Sequence, residues 1–136
     1  MSSHPGATIV SIDHIQLAMP AGEEEAAERF YAGVLGFTPR PKPDYLQGRG
    51  GCWFRSNDVD LHLGVDAKFT PATKAHPAFL TENLAALEAS LKAAGVEIVL
   101  DTQLPGFERF YCSDPFGNRL EFLERTDPSR RRASDD

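Results

Sequence analysis

The sequence predicts an α+β fold of two βαβββ modules, which together form a mixed, strongly curved sheet around a cavity. Three observations lead there. Each half runs in the order strand, helix, then about three strands. Each helix ends at a glycine, Gly36 in the first half and Gly95 in the second. The same interval then follows each glycine: 26 residues from Gly36 to His62, and 26 from Gly95 to Glu121. A repeat of this kind implies two pseudo-equivalent modules that bury their sheets together.

The elements follow in order. Residues 1–8 are polar, carry Pro5 and Gly6, and read as a loose start that includes His4. Residues 9–19 read as a strand, with Ile9, Ile15, Leu17 and Met19 on one face and Val10, Ile12, His14, Gln16 and Ala18 on the other. Pro20 and Gly22 end it. A helix is predicted over 23–35. Three glutamates open it, where the helix dipole favours anions, and Ala27, Phe30, Tyr31, Val34 and Leu35 keep helical spacing. The stretch 37–47 contains Pro-Arg-Pro-Lys-Pro and is at best an irregular edge strand. Short strands follow at 52–55 and 59–65, separated by a Ser56-Asn57-Asp58 turn.

Residues 66–75 are a polar linker between modules 9–65 and 76–124. The second module opens with a strand at 76–80. Asn83 is placed to cap a helix over 84–94, in which Leu84, Leu87, Leu91 and Ala94 form a core stripe. Strands are predicted at 96–100, 107–112 and 119–124. The last two are joined by Asp114-Pro115-Phe116-Gly117-Asn118, which has strong turn chemistry. Residues 125–136 form a polar tail containing Arg130-Arg131-Arg132.

The repeat also aligns four side chains of metal-ligand type. His14 and His76 stand at the opening strands of the two modules. His62 and Glu121 stand in the closing strands, each between apolar neighbours, in Leu61-His62-Leu63 and Leu120-Glu121-Phe122. Strand alternation turns each away from its apolar neighbours. The helices cover the apolar face, so all four point to the other, concave side. Gln16, two residues after His14, shares its face, and Arg109 and Tyr111 share a face of the strand beside Glu121. These three are candidate substrate-binding residues, the last two for an anionic or phenolic group.

Bulk properties narrow the function. The net charge of −6 lacks the basic footprint of a nucleic-acid binder. No apolar run approaches the roughly 18 residues that a membrane span requires. Two cysteines, Cys52 and Cys112, are too few for a disulfide scaffold and form no CxxC pair. With no N-terminal leader pattern, the expected location is the cytoplasm.

Several stretches resemble the signature segments of the vicinal-oxygen-chelate superfamily. They are Asp13-His14-Ile15-Gln16-Leu17, Phe30-Tyr31 with Val34-Leu35-Gly36-Phe37, Ala75-His76-Pro77-Ala78-Phe79, and Asp114 through Phe122. The similarity covers roughly residues 9–124. The superfamily includes glyoxalase I, extradiol dioxygenases, fosfomycin-resistance thiol transferases and bleomycin-binding proteins. The resemblance implies a divalent metal held by His14, His76 and Glu121. In glyoxalase I the first module's last strand adds a glutamate, and here that position is His62, so the implied set is three histidines and one glutamate.

Imidazole and carboxylate donors suit Zn²⁺, Ni²⁺, Fe²⁺ or Mn²⁺. Such an ion acts as a Lewis acid on two neighbouring oxygens of a substrate. Glu121 would be both ligand and general base. The leading expectation is therefore a glyoxalase-like lyase or isomerase, acting on a small vicinally oxygenated substrate and dimeric by resemblance. An extradiol dioxygenase, a thiol transferase acting on an antibiotic, and a metal-free protein that sequesters a drug or metabolite are the alternatives.

Overall fold

The computed structural model describes residues 5–126. His4 and the Arg130-Arg131-Arg132 run lie outside the described residues. The first module comprises β1 (Ile15–Met19), α1 (Glu24–Glu28), β2 (Thr38–Arg40), β3 (Cys52–Ser56) and β4 (Val59–Val65). The second comprises β5 (Ala78–Leu80), α2 (Leu84–Ala93), β6 (Val99–Leu100), β7 (Phe107–Ser113) and β8 (Arg119–Arg125). Each module builds its own four-stranded sheet, in the order β1-β4-β3-β2 and β5-β8-β7-β6. In both, the opening and closing strands pair parallel and the remaining pairs are antiparallel. The α+β fold and the repeated βαβββ order are therefore as the sequence predicts.

Four elements differ from their predicted extents, each for a local reason. β1 begins at Ile15, not at residue 9. The parallel register sets Ile15 against Leu61, and β4 begins at Val59, so residues 9–12 have no strand beside them. Ile9, Val10 and Ile12 are correspondingly exposed. β5 begins at Ala78 because Pro77 has no N–H to offer a ladder, although its carbonyl accepts from the Glu121 N–H at 3.1 Å. β6 shrinks to two residues, and the Val96 N–H is spent on the Leu91 carbonyl at the end of α2. The first helix does not stay α-helical: from Arg29 to Val34 it widens into a π-helical stretch, with Leu35 N–H donating to the Phe30 carbonyl five residues back.

Other local expectations hold. Gly36 and Gly95 both take positive φ, 86° and 79°, which suits the left-handed residue that terminates a helix. Asn83 caps α2 by accepting from the Ala86 N–H. The proline-rich stretch gives only the three-residue β2 and a 3-10 turn over Asp44–Arg49.

The helices cover one face of each sheet. Met19, Phe54, Leu61 and Leu63 are buried on that face in the first module, and Phe110, Leu120 and Phe122 in the second, with Leu91 of α2 buried in the same core. The two cores join through polar anchors as well as rings. Phe37 meets Phe79 edge-on at 6.0 Å. Tyr31, fully buried in the π-helical stretch, donates its hydroxyl to Asp114 Oδ2 at 2.7 Å. Burial, reinforced by the Asp114 carboxylate, pushes the Tyr31 hydroxyl well above the usual phenol range.

Asn118 is more than the turn residue its sequence context implies. Its Nδ2 donates to the Ala18 carbonyl at 2.8 Å and to Asp114 Oδ2 at 3.0 Å, and its Oδ1 accepts from the Ala72 N–H at 3.0 Å. One buried amide thus ties the end of β1, the linker and the β7–β8 turn together.

Candidate metal and substrate site

On the first sheet, the register sets His62 beside Gln16 on one side and Trp53 on the other. The period of two places all three on the face opposite buried Leu61 and Leu63. The His62 ring stacks on Trp53 with centroids 3.9 Å apart and planes 3° from parallel. His14, just ahead of β1, stacks on the other side of His62 at 4.4 Å. Its Nδ1 lies 2.9 Å from Asp13 Oδ2. Burial, with His14 next in order, lowers the His62 pKa, which favours the neutral imidazole that ligation requires. Gln16 lies over Gly64, where a Cβ would fall 2.6 Å from its Nε2.

On the second sheet, Glu121 is opposed by Ala78 and Tyr111. His76 Nε2 lies 2.9 Å from Glu121 Oε1, and His76 Nδ1 lies 2.8 Å from the Lys74 carbonyl. A carbonyl only accepts, so Nδ1 carries a hydrogen and the neutral ring turns its Nε2 lone pair toward Glu121. Two lone pairs at that distance repel unless a proton or a cation joins them. Fixing the remote nitrogen on a backbone carbonyl is also how ligating histidines are oriented. Glu121, 6% exposed, is otherwise held by Arg109, whose Nη1 reaches Oε2 at 3.3 Å. The Arg109 Nη2 donates to Asp101 Oδ2 at 3.0 Å.

The four sequence-predicted ligands are thus brought together as two pairs, His14 with His62 and His76 with Glu121. Each pair belongs to one of two sheets that do not hydrogen-bond to each other. Among the described residues, no group of three or more His, Cys, Asp or Glu side chains stands close enough to share a metal ion. The donor chemistry of each pair, imidazole with imidazole and imidazole with carboxylate, is of the type that fits a divalent cation.

Tyr111 stands with its ring edge-on to His76 at 5.5 Å. Sequence reasoning missed Arg119, whose guanidinium lies over the Tyr111 ring at 4.2 Å. The signal was available, since Arg119 precedes Glu121 by two residues and so shares its face of β8. It also missed Asp101, which lies outside any predicted strand face yet anchors Arg109. Trp53 belongs to the site face as a stacking surface, while its neighbour Phe54 belongs to the core.

A family model described as the glyoxalase/bleomycin resistance protein/dioxygenase superfamily matches residues 11–122. The chain belongs to that superfamily. No curated protein matches it. A glyoxalase family protein from Bacillus anthracis is 44% identical, with a TM-score of 0.85 over 88% of this chain and 98% of that one. Two more distant structures share the superfamily fold. One is the fosfomycin resistance protein FosX from Listeria monocytogenes, solved with Mn(II) and 1S,2S-dihydroxypropylphosphonic acid; it is 16% identical, with a TM-score of 0.74 over 90% of this chain and 98% of that one. The other is TnmS3, an antibiotic binding protein from Streptomyces sp. CB03234; it is 22% identical, with a TM-score of 0.66 over 87% of this chain and 100% of that one. Likeness at this distance shows the fold, and the fold alone does not choose between an enzyme and a binding protein. No helix among the described residues is long and apolar enough to cross a membrane.

Proposed function

We propose that this chain is a metal-dependent enzyme of the glyoxalase type, a lyase or isomerase acting on a small vicinally oxygenated substrate. The site is completed between two copies of the chain. One copy contributes His14 and His62, the other His76 and Glu121. The observation that carries this reading is the splitting of the four ligand-type residues into two pairs. Each pair is an incomplete donor set, and the two pairs are related by the internal repeat. A two-fold dimer would present each half to its complement twice.

When bound, a divalent ion would supply Lewis-acid polarisation of two neighbouring substrate oxygens. Everything else falls to side chains. The Lys74 carbonyl holds the His76 ring so that Nε2 faces the site. Arg109 and the rigid β8 backbone hold the Glu121 carboxylate in place. In this reading Glu121 would take a proton from one substrate carbon and return it to the adjacent one. Trp53 fixes the plane of His62. Tyr111 lines the floor beside His76.

A second reading draws on one observation. Arg109 already holds one oxygen of Glu121 within the chain, and a protonated His76 would pair with the other, so the carboxylate has partners without a metal ion. That arrangement also suits a metal-free binding protein. Turnover separates the readings. The zinc-, nickel- or manganese-loaded protein is expected to isomerise thiol adducts of dicarbonyls, and to lose that activity in Glu121→Gln. Oxygen uptake with a catechol and Fe²⁺ would move the assignment to a dioxygenase. Tight binding of such ligands without turnover under any of these metals would favour the binding protein.

A further inference from the structure

We infer that residues 9–13 form a docking arm, which seats in the groove between the first helix and the β6–β7 strands of a second copy of this chain. The inference deepens the two-copy reading of the site and rests on it. Its own evidence lies in the arm and the groove.

The arm is apolar and has no partner in its own chain. Ile9, Val10 and Ile12 are 91%, 89% and 78% exposed. Strand pairing starts at Ile15, and among the described residues no backbone hydrogen bond reaches residues 9–12. Scattered apolar side chains on a surface are ordinary, but three within four residues make a patch whose burial is favourable. Asp13 closes the segment. Its carboxylate is 97% exposed and hydrogen-bonds through Oδ2 with His14 Nδ1 at 2.9 Å, so Oδ1 is open to a cation.

The groove suits such a segment. Its volume is about 1200 Å³. That exceeds the roughly 300–1,000 Å³ of an ordinary small-molecule pocket. Phe30 of the first helix lines it together with Val96, Val99 and Tyr111 of the second module, and Val99 is itself 57% exposed.

The charges are complementary. Arg119, half-buried in the groove, has no carboxylate within ion-pairing distance among the described residues, and its guanidinium lies on the Tyr111 ring at 4.2 Å. A guanidinium laid flat on a ring keeps its in-plane N–H groups free for a carboxylate. Arg29 adds a second positive charge and has only an exposed contact to Glu25 at 3.9 Å. Of the acids beside them, Asp114 is spent on Tyr31, Phe116 and Asn118, and Glu97 is exposed on the rim.

The two-copy site sets the direction of the arm. None of His14, His62, His76 and Glu121 lines the groove. Arg119 stands two residues from Glu121 on the same face of β8. That separation is roughly 7 Å along a strand. With Asp13 of one copy on Arg119 of the other, His14 follows directly and reaches the His76–Glu121 pair of that second copy. Ile12, Val10 and Ile9 then run back along the apolar wall. A two-fold axis repeats the contact, so each copy gives one arm and receives one.

The test is sedimentation velocity over a concentration series, with metal content measured on the same full-length samples. The variants are I9S/V10S/I12S, D13R, R119D and D13R/R119D. The three aliphatic positions are exposed in the single chain, so their substitution leaves its core intact, which circular dichroism checks. Wild type is expected to dimerise, and the triple variant to do so at least about tenfold more weakly. D13R and R119D should each weaken the dimer, and D13R/R119D should recover much of the loss, because the reversed charges meet again across the interface. Monomeric wild type, a triple variant that dimerises as tightly as wild type, or a D13R/R119D dimer no tighter than that of D13R overturns the inference. Should R119D fail to fold, the triple variant decides. Wild type that dimerises and takes up metal while the triple variant dimerises equally well sinks the arm and leaves the two-copy metal site standing. Dimerisation that depends on the arm, with no metal taken up from Zn²⁺, sinks the metal reading and leaves the arm standing.

Discussion

His76 and Glu121, 45 residues apart in the chain, meet at 2.9 Å between Nε2 and Oε1, with the far side of the His76 ring fixed on the Lys74 carbonyl. The contact unites the start of the second module with its last strand. It also turns the imidazole Nε2 and a carboxylate oxygen toward one another.

Arg109 balances Glu121 in the absence of any cation, so removing it should expose the electrostatic strain of the pair. Arg109→Met leaves a buried carboxylate and Asp101 without their partner. A lower midpoint in urea unfolding is expected. Added Zn²⁺ should recover more stability in the variant than in wild type. Equal stabilisation of both by zinc would argue that Glu121 is not a ligand.

The two-copy site predicts complementation. His14→Ala/His62→Ala and Glu121→Ala each abolish both sites of their own homodimer. Mixed and allowed to exchange, they should form heterodimers with one intact site. For random exchange the metal content and activity should return to about a quarter of the wild-type value. A site made within one chain gives no recovery.

Asn118 predicts a structural effect far from any ligand. Asn118→Ala removes the bonds to Ala18, Ala72 and Asp114 from a fully buried position. Destabilisation of about 2–3 kcal/mol by chemical denaturation is expected, larger than for Tyr31→Phe, which removes a single hydrogen bond to Asp114.

Much of this was readable in the chain because it depends on period and spacing. The interval of 26 residues after Gly36 and Gly95 placed His62 and Glu121 at matching strand positions, and alternation placed Arg109, Tyr111 and Gln16 on site faces. What was not readable depends on contacts between distant segments. Nothing local to Ile9–Val10 reveals that β4 starts too late to pair with them. Nothing in the Phe30-Tyr31 stretch announces a change of helical winding. Asn118 carries ordinary turn chemistry, and only the packed fold shows its amide reaching β1. Arg109 and Arg119 look alike in sequence; the placement of Asp101 and Tyr111 makes one committed and the other free.

The cysteines give a pH prediction. Burial pushes the Cys52 thiol up to about 11, with Glu24 and Glu28 adding to it, and the Cys112 thiol up to about 12, with Asp114 adding to it. Both are raised above the ordinary value of 9.0, so the fold favours the protonated thiol. Their contribution to stability is complete below about pH 9 and is lost as the pH rises through about 11 and 12. Native protein at pH 8 should therefore react with a disulfide reagent far more slowly than unfolded protein. Denaturation midpoints should fall in strongly alkaline buffer, less so in Cys112→Ala. Rapid native labelling of both thiols at pH 8 would contradict this.

The central claim is that the two pairs of side chains hold a divalent metal. The direct measurement is elemental analysis of tag-free protein purified without added metal, beside His76→Ala and Glu121→Ala. The account predicts about one divalent ion per chain in wild type and its loss in both variants. Wild type that holds no metal, and takes up none from Zn²⁺, Ni²⁺, Mn²⁺ or Fe²⁺, would contradict it and leave the metal-free binding protein as the reading.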